Sequence, residues 1–200
     1  MPSFSRRILA RAATCAMFSW LVVGCQPPAV GVADPEAARR AYLGLDRAVD
    51  RAIELGFAGF NAASSANIPE QTAAGALSGT MIVGGKVDQG ASANKGMDLQ
   101  VTLEDYSDGP VEGMVEVAYD GGPAAFDLKL RDLPDGTLTG NLSGEFVMTG
   151  ELAGVVALDV DITGDTEEAP DGTIRRRAGT IHVTGTATSD YGVFAIDVML

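Results

Sequence analysis

Few side chains in this 200-residue chain are of types and spacings that do chemistry. The single histidine, His182, stands between Ile181 and Val183 and alternates with Thr180 and Thr184, the setting of an exposed residue on a strand without a catalytic partner. Asp159, Asp161 and Asp165 alternate with Val160, Ile162 and Gly164, the spacing with which an oxygen-ligand calcium loop opens. The fifth position is Thr163, however, and the twelfth is Pro170, where a bidentate glutamate is needed. Because Val160 and Ile162 continue an inward alternation, the aspartates read as the solvated face of a strand. Arg175, Arg176 and Arg177 form the one dense basic run of the C-terminal part. Alternation sends Arg176 to one face and its neighbours to the other, so pairing with cross-strand carboxylates explains them better than a polyanion patch does. No phosphate loop, nucleophile elbow or dinucleotide fingerprint is present.

Composition narrows the classes further. One histidine and two cysteines, Cys15 and Cys25, argue against a multi-ligand zinc site, an iron–sulfur cluster or a disulfide framework. With 27 acidic against 14 basic residues, the net charge of −13 argues against a nucleic-acid partner, whose phosphates require a basic patch. The expectation is therefore no catalytic set, no cofactor and no metal. Glycine is abundant, 25 residues, without the three-residue period of collagen, and this disfavours a compact helical protein.

The N-terminal segment is of a different kind. Arg6, Arg7 and Arg11 precede a 13-residue uncharged run from Ala12 to Gly24, too short to span a bilayer comfortably and suited to the apolar part of a signal peptide. The run ends Leu21-Val22-Val23-Gly24-Cys25, which resembles the lipobox of bacterial lipoproteins. That resemblance covers only the leader and its junction, and the remainder resembles no family. It implies a diacylglyceryl group on the Cys25 thiol, cleavage before Cys25 and usually acylation of the new amino terminus. Gln26, standing where inner-membrane lipoproteins typically carry aspartate, implies export to the outer membrane. Cys15 lies in the removed segment and has no role in this reading. Setting the leader's three arginines aside leaves eleven basic residues, a net charge of −16 and only nine aromatics, sparse for a sugar or nucleobase site.

The elements that follow are legible from periodicity. Residues 25–33, with Pro27 and Pro28, read as the lipidated cysteine and an extended tether. Asp34, Pro35 and Glu36 signal a helix start, and Ala38, Tyr42, Leu45, Val49, Ala52, Ile53, Gly56 and Phe57 make one apolar stripe, predicting an amphipathic helix over 34–60. Its other side mixes acids with arginines, which favours packing on its own domain over lying on a membrane. Residues 61–76, rich in small side chains and interrupted by Pro69, read as a connector.

From residue 77 the period becomes two, and eight strands are expected: 77–87, 97–103, 111–119, 126–130, 138–148, 152–162, 173–186 and 191–200. Asp108-Gly109-Pro110, Asp120-Gly121-Gly122-Pro123, Pro134-Asp135-Gly136 and Pro170-Asp171-Gly172 supply turns between them. Short connections imply antiparallel neighbours. Gly140, Gly144 and Gly154 share faces with apolar residues and predict a sheet that bends. A membrane-spanning barrel is disfavoured by the few aromatics available for girdles.

The expected fold is thus α+β and mainly β. An N-terminal amphipathic helix, 34–60, packs on an up-and-down antiparallel meander of about eight strands over 77–200, a strongly curved sheet or small barrel. The expected function is a lipid-anchored bacterial envelope protein, held to the membrane through Cys25 and acting as a non-enzymatic structural or interaction module with an envelope protein as possible partner. The alternative is a carrier of an apolar, lipid-like ligand in a curved-sheet cavity.

Overall fold

The computed structural model describes residues 31–88 and 92–200. Two helices lead, α1 Pro35–Leu43 and α2 Asp46–Ala62. Nine strands follow: β1 Asn67–Ala74, β2 Ser78–Val87, β3 Lys95–Ser107, β4 Val117–Arg131, β5 Thr137–Gly150, β6 Gly154–Glu168, β7 Ile174–Arg176, β8 His182–Ser189 and β9 Gly192–Met199. All pairings are antiparallel. The sheet runs β1-β2-β3-β4-β5-β6-β8-β9, with β7 pairing β6 alone. It is a meander, mainly β, as the alternation predicts. β1 and β9 end the order and do not pair, so the sheet is not closed.

The helix start follows the sequence closely. The Asp34 carboxylate accepts the Ala37 N–H at 2.8 Å, with Pro35 at the first helical position and Glu36 in the first turn. The predicted single helix is broken, however, between Leu43 and Asp46. Gly44 donates its N–H to Arg40 O, and Leu45 N–H turns back to Tyr42 O at 2.8 Å instead of bonding Ala41 O. The stripe survives the break: Ala38, Tyr42, Leu45, Val49, Ala52, Ile53 and Gly56 are buried, Ala41 and Ala48 beside them are buried too, and Phe57 is half-buried.

Register accounts for the strands. One row crosses the sheet from Ile68 through Gly85, Leu99, Phe126, Leu142, Val160 and Gly185 to Ile196, and its apolar members are buried. The neighbouring row on the opposite face runs Lys86, Asp98, Asp127, Asn141, Asp161, Thr184, Asp197. One face is thus apolar and the other solvated, as a period of two requires.

Three departures from the expected boundaries have local causes. Residues 61–76 are not simply a connector, because β1 pairs with β2 there; Pro69 is accommodated at an edge, within the interval where the register shifts between Ile68 and Gln71. Asp120-Gly121-Gly122-Pro123 is not a turn but an irregularity inside the continuous strand β4, so two expected strands are one. Gly121 and Gly122 adopt φ of 145° and 115°, open to glycine alone, and let the strand bend without ending. The expected strand over 173–186 is instead split into β7 and β8, because residues 177–181 leave the ladder. These changes convert eight expected strands into nine.

The inward glycines of β5 mark close approaches. A Cβ on Gly144 would lie 2.4 Å from the Ala124 Cβ, and one on Gly140 2.7 Å from Leu128 Cδ2. Both neighbours belong to β4, so the two strands crowd on the face that the sheet buries. Gly144→Ala is expected to destabilise the fold by about 1–3 kcal/mol through overpacking. Urea unfolding of the variant, with an unchanged m-value, measures this.

Candidate functional site

The polar groups brought together most closely lie along the seam between the helices and the strands. At the break between α1 and α2, the Ala41 carbonyl has lost its ordinary helical partner, and the Tyr119 hydroxyl of β4 donates to it at 2.8 Å. Tyr119 is fully buried, and burial pushes its phenol well above the ordinary tyrosine range. The site leaves no room for a side chain at the break, since a Cβ on Gly44 would lie within 2.2 Å of the Tyr119 oxygen. The ring of Tyr119 meets Phe146 edge to face, centroids 6.3 Å apart.

β7 contributes Arg176, whose side chain is only 4% exposed. Its guanidinium donates to Asp50 Oδ1 at 2.5 Å, to Asp46 Oδ1 at 2.9 Å and to the Asp46 carbonyl at 2.9 Å. Burial by itself would lower the arginine pKa, but the Asp50 hydrogen bond and the charges of Asp46 and Asp50 outweigh it and hold the group above its usual value. Asp46 also accepts from the Tyr42 hydroxyl at 3.3 Å, and burial, then the Asp46 charge, raises that phenol.

A second carboxylate, Asp108, is 5% exposed. It accepts from the Tyr106 hydroxyl at 2.8 Å and from Ala76 N–H at 2.9 Å, with Arg51 Nη2 at 3.9 Å. Burial first, then Asp108, raises the Tyr106 phenol. The Asp108 carbonyl accepts from Arg47, and Arg51 also bonds the Ala74 carbonyl. Beyond it, Arg39 grips exposed Glu112 through two hydrogen bonds of 2.6 and 2.9 Å, which hold the Glu112 carboxyl below its ordinary pKa.

These groups are arranged to bind one another. Among the described residues, no buried side-chain nitrogen or oxygen lacks a partner, and no three His, Cys, Asp or Glu side chains converge as metal ligands do. Leu45, Ala48, Val49 and Ala52 of α2 face Val101, Leu103, Phe126, Leu142 and Phe146 across a void of about 20 Å³. An open cleft of about 190 Å³ lies beside Arg47 and Asp108, and a hollow of about 320 Å³ lies between Phe57 and Ile174.

Residues singled out by sequence fall in several places. Cys25 and Gln26, with the whole leader, lie outside the described residues. Asp159 and Asp161 are on the solvated face, where Asn141 Nδ2 donates to both at 3.1 and 3.2 Å. His182 is 43% exposed and meets Asp197 at 2.8 Å. The arginine run separates as alternation dictates: Arg175 pairs with Glu167 directly across β6, and Arg177 reaches Asp135. Only Arg176 turns inward, to helix carboxylates rather than to a neighbouring strand. Its partners, Asp46 and Asp50, lie on the polar flank of the helix, and nothing in the local sequence pairs them with β7.

No family model, curated protein or solved structure matches the chain.

Substitutions at two positions test the seam. Tyr119→Phe leaves the Ala41 carbonyl buried and unpaired and is expected to cost about 1–3 kcal/mol in urea unfolding. Arg176→Ala leaves two partly solvated carboxylates without their cation and is expected to cost about 1–3 kcal/mol, Arg176→Lys restoring only part because an ammonium lacks the guanidinium fork.

Proposed function

We propose that this chain is a lipid-anchored protein of the bacterial envelope, held in the outer membrane by acyl chains on Cys25, whose domain serves as a non-enzymatic structural or interaction module. The observation that carries the reading is the order of Arg6, Arg7 and Arg11, an uncharged run of 13 residues, and Leu21-Val22-Val23-Gly24-Cys25. One acyl chain anchors only marginally, at about 0.8 kcal/mol per buried methylene, so the diacylglyceryl group with its added acyl chain supplies the stable attachment. Gln26 after the cysteine directs the protein to the outer membrane.

For the domain, the proposed arrangement is a curved sheet wrapped round α1 and α2. Two things favour a structural or interaction role over catalysis: the mutual pairing of the seam's polar groups and the solvated, acidic outer row. The alternative, a carrier of an apolar ligand in the curved sheet, needs a cavity of some 300 Å³ or more on the inner sheet face. A void of about 20 Å³ between α2 and the sheet speaks against it, since the apolar faces already fill one another.

Cys25→Ala is expected to release the protein from the membrane fraction into the soluble fraction. If the variant still sediments with membranes after a high-salt wash, the anchor is not the lipid. Mass spectrometry of gently extracted protein tests the carrier reading: lipid beyond the covalent chains would favour it.

A further inference from the structure

Six large apolar residues are conspicuously exposed among those described: Leu77, Val147, Val155, Tyr191, Val193 and Met199. Register places the first five at one end of the sheet. Leu77 sits in the β1–β2 turn and donates its N–H to Ser107 O at the end of β3. Val147 and Val155 are directly paired beside the β5–β6 turn, and Tyr191 and Val193 flank the start of β9. Met199 alone lies at the other end.

The same end is where the described chain begins. Ser189 Oγ donates to the Val32 carbonyl at 2.5 Å, and Gly31 lies against the Ala153 carbonyl and the Tyr191 ring. Val32 is completely buried, so the chain is fixed at this point. Five residues, Gln26 to Val30, separate Gly31 from Cys25. Six extended residues reach at most about 20 Å. The 14 residues of β5, at about 3.4 Å each, extend more than twice as far, so the Met199 end stays clear of a surface that holds Cys25 when the strands stand upright. Lying on the outer sheet face would bring the row of Asp98, Asp127, Asp161 and Asp197 against the lipid, at a large desolvation cost.

We infer that the Tyr191 end of the sheet is a membrane-facing surface, seated in the headgroup region of the bilayer to which Cys25 is anchored. This rests on the proposed lipidation and adds an orientation to it. Tyr191, with an apolar ring and a polar tip, suits the interface, and the valines suit shallow contact with acyl chains. Glu151 and Asp190 in the same turns, and exposed Glu112 and Glu116 in the β3–β4 connection at this end, oppose insertion below the headgroups and contact with anionic lipid. The contact therefore orients a domain that the acyl chains hold.

The test uses the full-length protein, expressed and processed in its membrane, purified and reconstituted into phosphatidylcholine vesicles with brominated acyl chains. The only tryptophan of the chain is Trp20, within the leader, so Tyr191→Trp and Met199→Trp each introduce a sole reporter after processing. Both positions are more than 60% exposed, and unchanged thermal unfolding checks that the fold is kept. Fluorescence at position 191 is expected to be quenched at least threefold more than at position 199. Equal quenching at the two positions, or none at 191, overturns the orientation. The mass of the N-terminal peptide is read separately. Absence of lipid on Cys25 overturns the anchor, whereas lipid on Cys25 with position 191 unquenched overturns the orientation alone.

Discussion

A single sheet whose strands alternate strictly must keep water off one entire face, and here that face is eight strands wide. The row from Ile68 to Ile196 could be covered by a second sheet, by closure of the strands on themselves or by a helix. The strands do not close, because β1 and β9 do not pair with each other. The helical segment supplies Leu45, Ala48, Val49 and Ala52 to the space in front of Phe126, Leu142 and Phe146. Everything else in the seam follows from having a helical segment so close to the sheet. Its interruption exposes a carbonyl that Tyr119 must satisfy, and its flanking aspartates need a cation, which Arg176 brings.

The polar seam joins helix and strand residues through directional bonds. A buried ion pair gains little over a well-packed apolar replacement, because desolvation offsets much of the attraction. Removing one partner is costly, however, so sliding the helix by a turn would strand Arg176 or the Ala41 carbonyl. Apolar packing against alanines and valines tolerates small displacements. The directional bonds from Tyr119 and Arg176 do not.

Much of the architecture was legible in the sequence because it depends on local pattern. Asp34 and Pro35 announce the helix, and the alternation from Met97 to Leu103 announces a half-buried strand. Failures arose where a local signal served a tertiary purpose. Asp120-Gly121-Gly122-Pro123 has turn composition, yet neighbours on both sides keep the strand going through it. The segment with Pro69 looks like a connector because an edge strand needs only one partner. The seam was less visible still: Asp46 and Asp50 look like any solvated helix flank, and nothing within Arg175-Arg176-Arg177 tells which arginine is buried except its parity. Cys25 is the reverse case, a site written wholly in local sequence.

The meander gives the chain two very different kinds of contact. From β1 to β9 nearly every strand pairs with its predecessor, so the sheet can extend hairpin by hairpin with short loops to close. The bonds from Arg176 to α2 span 126 and 130 residues, and the bond from Ser189 to Val32 spans 157. Strand pairing is thus mostly local in sequence, and these fastenings are not. In a chain synthesised from its amino terminus, Val32 and the helices are made first, and the strands that carry their partners Arg176 and Ser189 are made late.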